Sequence, residues 1–220
     1  MNNTWRKLLL AQMMGKTVLD ADELSLFEWY MHEQANVINR MLPEERAFVQ
    51  KQIDAGNIDA GADNDGWLIV EYYIKRVRYA DVIYLTSLLE IYLARACDRL
   101  ITILGDHNIL FRIEDLAGDK WTKRKKFLER YGRFTFPKGT WSDLQILIRV
   151  RNILVHENGS ISQSEKDQIQ KCPGITVDRD ELVIEDAYIT HCLSAIRSLA
   201  EFVGKQIDQL VDRSQHLQGL

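Results

Sequence analysis

From Trp67 to Leu104 the chain runs 38 residues without a proline or a glycine. Only helix makes use of such a run. Turns draw on those two residues, and strands seldom pass about ten residues. The length exceeds that of an ordinary globular helix, ~10–14 residues. It predicts either one long helix of a helical hairpin or a break near Tyr79–Asp81. A fold built around it is all-α.

The flanking segments read the same way. Trp5–Met14 suits a short helix, and the carboxylates of Asp20-Ala21-Asp22-Glu23 open a second that runs to about Arg40. Pro43, followed by Glu44-Glu45, suits the first turn of a third, reaching roughly Asp54. Residues 55–66 are small, acidic and glycine-rich, and make the best linker. The expected organisation is therefore an N-terminal helical extension over 1–64 and a helical domain over 65–220. Within the latter, Asp119–Tyr131 reads as a basic helix ending at Gly132, and Pro137, Gly139 and Thr140 as a turn. Residues 158–174 read as a loop or short helix. Ile175-Thr176-Val177 and Leu182-Val183-Ile184 then form a small β-hairpin around Asp178-Arg179-Asp180-Glu181, before a last helix over roughly Asp186–Val211.

Several function classes drop out early. The best apolar run, Ala80 to Ala94, is interrupted by Asp81 and Glu90, so no membrane span is expected. Trp5-Arg6-Lys7-Leu8-Leu9-Leu10 lacks a small-residue cleavage site, which argues against a secretory leader. Cys97, Cys172 and Cys192 are odd in number and form no CxxC pair, so free thiols in a cytoplasmic protein are expected, with no metal site and no cofactor. HExxH, GxSxG, P-loop and EF-hand patterns are absent from the sequence.

Charge is unevenly spread. The net charge is −4, yet Asp119 to Arg151 holds ten basic residues against three acidic ones, a net +7. Residues 1–65 hold six basic against eleven acidic, a net −5. Lys120, Lys123, Arg124, Lys125, Lys126 and Arg130 form the dense part of the basic segment and are candidates for holding a polyanion such as RNA. The plainer reading is a solvated helix face. Trp121, Phe127, Tyr131, Phe134 and Phe136 are interleaved there and suit either base stacking or a core.

That basic segment leads into Arg151-Asn152-Ile153-Leu154-Val155-His156. Thr140-Trp141-Ser142-Asp143 fits a capping box and Glu157-Asn158-Gly159 a stop, so a helix over about Trp141–His156 is expected. At 100° per residue, Gln145, Arg149, Asn152 and His156 fall in one polar stripe. Arg151 instead falls among Leu144, Leu147, Ile148, Leu154 and Val155, where an unpaired charge is costly. Glu90 stands similarly alone in Ser87–Leu93, so a Glu90–Arg151 pair is expected. An arginine that is always charged and a histidine that titrates near neutrality make a minimal kit for phosphodiester chemistry. A histidine favoured by the helix dipole and an arginine in an ion pair are the structural alternative.

With this motif, the sequence resembles the HEPN superfamily, small helical bundles marked by Arg-x4–6-His with a polar residue directly after the arginine. The resemblance covers residues 67–211, with its specific part confined to the six motif residues. It implies a metal-independent endoribonuclease, a toxin or defence protein, acting as a homodimer with a composite active site. His156 would be general acid or base, Arg151 would stabilise the phosphate, and Asn152 would orient the phosphate or the histidine. Arg149 also fits the looser spacing and competes with Arg151. The resemblance equally admits a non-catalytic module for RNA or protein binding and assembly, with an antitoxin or other protein as partner. An accessory to a nucleotidyltransferase is a weaker third reading. An ideal helix sets Arg151 and His156 about 140° apart, so the nuclease reading requires a second copy or a loosened helix end.

Overall fold

The computed structural model describes residues 21–57, 65–105, 108–169 and 172–218. The expected Trp5–Met14 helix lies outside them. Among the described residues the order is α1 (Ala21–Asp54), α2 (Asp65–Leu104), a 3-10 turn (Ile113–Asp115), α3 (Lys120–Gly132), α4 (Lys138–His156), α5 (Gln163–Ile169), β1 (Ile175–Asp178), β2 (Glu181–Ile184) and α6 (Asp186–Gln218). The chain is mostly helical, with one antiparallel two-stranded sheet. No helix of the described residues is long and apolar enough to cross a membrane.

The long proline-free run is one unbroken helix. The alternative, a break near Tyr79–Asp81, is corrected: the helix runs through, and the charges that interrupt its apolar pattern lie close enough to attract one another. Arg78 and Asp81, three residues apart, lie 3.5 Å from each other and are 5% and 2% exposed. Arg78 also pairs with Asp186.

Helix α1 is a second correction, because Pro43 lies inside it and starts no new helix. Proline removes one N–H and crowds the carbonyl four residues back. Pro43 is exposed, so that carbonyl can turn toward water.

Two compact units emerge, one of Tyr84–Arg149 with the chain from Thr190 onward, the other of Asp22–Ile83 with Val150–Ile189. The core of the first is helical. Leu85, Leu89, Leu93 and Leu100 of α2, Phe127 and Leu128 of α3, Leu144 and Leu147 of α4, and Ile196 and Ile207 of α6 have almost no exposed surface. Phe134, Phe136, Trp141 and Phe202 add an aromatic cluster with ring centroids 5.5–6.3 Å apart.

The second unit is organised around the hairpin. Asp178 pairs with Glu181, and the two turn residues, Arg179 and Asp180, both take positive φ (46° and 66°). This is the mirror-image turn whose twist matches the strands it joins. Leu182 and Ile184 point inward and are buried, whereas Glu181 and Val183 face out. Residues just beyond α4 add a further rung: Leu182 N–H donates to the Gly159 carbonyl at 2.8 Å and Ile161 N–H to that of Asp180 at 2.9 Å. The hairpin is thereby fastened to the end of the motif helix.

Candidate functional site

Helix α4 begins earlier than the capping-box pattern implies. Trp141 N–H donates to the Pro137 carbonyl at 3.0 Å, so Pro137 takes the flanking position and Lys138 opens the helix. Thr140 and Asp143 therefore fall inside the helix, and the Asp143 carboxylate lies 3.5 Å from His191 Nε2. Proline's fixed φ gives a ready-made entry.

The far end follows the sequence reading. Asn158 and Gly159 take positive φ (55° and 88°), and the Gly159 N–H folds back to the Ile153 carbonyl at 3.2 Å. A Cβ on Gly159 would meet Tyr79 Oη at 2.3 Å, so both the backbone angle and the space demand glycine. Tyr79 Oη in turn donates to the Leu182 carbonyl at 2.8 Å. Arg76 Nη1 donates to Asn158 Oδ1 at 2.7 Å, with its guanidinium 4.6 Å from the Tyr72 ring centre. Lys75 pairs with Glu181. Lys75, Arg76 and Tyr79 of α2 thus hold the stop of α4 and the edge of the hairpin.

Gln145, Arg149, Asn152 and His156 are all exposed, as the wheel predicts. His156 occupies the last turn and has no hydrogen-bond or ion-pair partner among the described residues. Arg151 is half-buried, and its Nη1 donates to Asn152 Oδ1 at 3.1 Å. The guanidinium keeps its other donors for a further acceptor.

The expected Glu90–Arg151 pair is corrected. Glu90 binds Lys120 and also lies 3.4 Å from Arg124. Burial works against its charge, but the hydrogen bonds and attraction of these two cations hold its carboxyl below the ordinary glutamate value. The reason is spacing: Lys120 and Arg124, four apart on α3, present two cations on one face.

Most of the basic segment is similarly engaged. Lys125 pairs with Glu129, and its ammonium sits 5.4 Å from the Phe136 ring centre and 5.3 Å from that of Trp141. Lys123 donates to the Glu114 carbonyl at 2.9 Å and Lys126 to that of Ala117 at 2.8 Å. Arg130 lies over the Phe111 ring at 4.3 Å. Trp121, Phe127, Phe134 and Phe136 are buried, so base stacking on these four is corrected to core packing. Tyr131, partly exposed, accepts from the Phe111 N–H at 2.7 Å.

Sequence reasoning missed the buried pair on α2. Burial pushes the Asp81 carboxyl up to about 6, against the pull of Arg78 and with a smaller push from Asp186. The available signal was an arginine and an aspartate three apart within an apolar run. The three cysteines are free and buried, and burial pushes the Cys97 thiol up to about 12, far from a nucleophile's range. Among the described residues no group of three or more His, Cys, Asp or Glu is placed to hold a metal ion.

Comparison with family models, curated proteins and solved structures gives no match for this chain.

Proposed function

We propose that this chain is a metal-independent endoribonuclease of the HEPN kind, active as a dimer. The observation that carries the reading is the state of the motif residues. His156 is exposed and unpartnered among the described residues, and the half-buried Arg151 is steadied by Asn152.

RNA brings its own nucleophile. In the proposed reaction one imidazole takes the proton of the 2′-hydroxyl as that oxygen bonds to phosphorus. A second imidazole protonates the departing 5′-oxygen, leaving a 2′,3′-cyclic phosphate. One His156 cannot do both, and two copies supply two. Arg151 stabilises the charge gathering on the phosphoryl oxygens, a role commonly worth 10²–10³-fold in rate. Asn152 positions that guanidinium.

A second reading, a non-catalytic RNA- or protein-binding module, is favoured by the way Glu90 and Glu129 neutralise cations of α3. One experiment separates the two: labelled RNA incubated with the protein in excess EDTA, beside His156→Ala. Cleavage that leaves cyclic-phosphate ends and vanishes in the variant supports the nuclease. Folded wild-type protein that leaves diverse RNAs intact selects the module.

A further inference from the structure

Helix α1 presents an apolar stripe to solvent. Tyr30, Val37, Met41 and Phe48 are 45%, 38%, 39% and 56% exposed. With Gln34 and Glu44 they follow one another at steps of four, three, four, three and four residues. That is the spacing of a coiled-coil seam. Pro43 falls about 140° round the helix from the seam's centre, out of its way.

The seam also reads alike in both directions. From either end it runs aromatic, polar, aliphatic, aliphatic, polar, aromatic, centred on Asn39. We propose that α1 is a self-association helix, pairing antiparallel with α1 of a second copy about a two-fold axis at Asn39. Tyr30 then meets Phe48 of the second copy, Val37 meets Met41, and Gln34 meets Glu44, an amide beside a carboxylate. A parallel pair would instead set Glu44 against Glu44.

Net charge favours the same direction. Residues 21–38 contain four acidic residues and no lysine or arginine, whereas 39–54 contain three of each sign. Antiparallel pairing sets the acidic half against the neutral half, and parallel pairing sets acid against acid. Leu26 and Trp29, 65% and 60% exposed, extend the surface along one flank. The six exposed side chains leave on the order of 700 Å² open, near the ~800 Å² that each partner contributes to a standard interface. An isologous two-fold contact is also the commonest way a chain closes on itself.

The inference goes beyond the nuclease reading and does not depend on it, because its readouts are mass and cross-linking. Sedimentation equilibrium of the full chain is expected to give twice the 25.6 kDa of one copy. Val37→Glu with Met41→Glu should weaken dimerisation by ~100-fold or more with helicity unchanged. Oxidising a mixture of Tyr30→Cys and Phe48→Cys proteins should join one to the other, while neither alone cross-links. The native cysteines are buried and do not compete. A wild-type monomer at tens of micromolar, a Tyr30→Cys protein that cross-links to itself, or a dimer indifferent to the seam substitutions would overturn the proposal. Should the double glutamate variant lose helicity, the cysteine mixture still decides.

Discussion

Arg76 and Asn158, 82 positions apart, are joined by a 2.7 Å hydrogen bond that ties helix α2 to the residue ending α4. Asn158 is in the left-handed conformation, which asparagine tolerates better than most residues. The bond holds the turn at which the chain leaves the motif helix, two residues beyond His156.

Replacing Asn158 separates these two contributions. Asn158→Ala loses both the hydrogen bond and the backbone tolerance, and should cost about 1–2 kcal/mol in urea unfolding. Asn158→Gly keeps the backbone freedom and should cost about half as much. Equal losses in the two variants would mean that the left-handed angle carries no strain.

Gly159 and Gly56 form a matched pair for a second measurement. Both have positive φ, but a Cβ on Gly56 meets nothing within 4 Å, whereas one on Gly159 runs into Tyr79. Gly56→Ala should cost about 1 kcal/mol, the backbone penalty alone. Gly159→Ala should cost about 3 kcal/mol or more, because the Tyr79–Leu182 bond must also shift. Comparable thermal melts for the two would remove the packing argument.

Asp81 gives stability a defined dependence on pH. Its folded-state pKa, about 6, stands above the 3.8 of an unperturbed carboxyl. The folded state therefore binds this proton more tightly than the unfolded chain. The contribution is fully present below pH ~4 and is lost as pH rises through ~6. Asp81→Asn cannot titrate, so the stability difference between variant and wild type should shift toward the variant by on the order of 2–3 kcal/mol across that window. A difference that stays flat from pH 4 to 7 would show that Asp81 does not titrate there.

The rival arginines separate by kinetics, given RNA cleavage. Arg151→Ala should lower kcat by about 10²-fold or more, because the guanidinium acts on developing charge. Exposed Arg149 should mainly raise KM on substitution, by less than about tenfold. The reverse pattern would transfer the catalytic role to Arg149.

Salt dependence distinguishes the cations of α3. Among the described residues, Lys123 and Lys126 contact only backbone carbonyls, so each keeps its charge for a polyanion. Lys123→Ala should flatten the plot of log affinity for single-stranded RNA against log salt by ~0.7. Lys120→Ala, whose charge is already met by Glu90, should change the slope less. Equal slopes for the two variants would mean that the Glu90 pair does not persist with RNA bound.

The helical character of residues 67–104, the hairpin around Asp178-Arg179-Asp180-Glu181, the stop at Asn158-Gly159 and the exposed stripe of α4 were all legible in the chain. Each depends on neighbours within a few residues: periodicity, turn chemistry and caps are local. The same locality misled at Pro43 and at Thr140, where a signal that permits a helix start was outweighed by continuation on either side. It left the aromatics of residues 121–136 open between stacking and core, since periodicity shows that a face exists without showing what covers it.

Charge partnership emerges only when separate segments pack together. Glu90 and Arg151 stand out in the sequence as isolated charges on apolar helices, a pattern that suggests they meet. Glu90 is instead met by Lys120 and Arg124, thirty or more residues on, and Arg151 by its own neighbour Asn152. Helical segments and the polar face of α4 follow from steric and hydrophobic preferences repeated along one segment, so they can be read from the chain. Which carboxylate meets which cation depends on a few ångströms between separate segments. A Coulomb term that falls with distance, set against the cost of burial, is resolved only once the chain has packed.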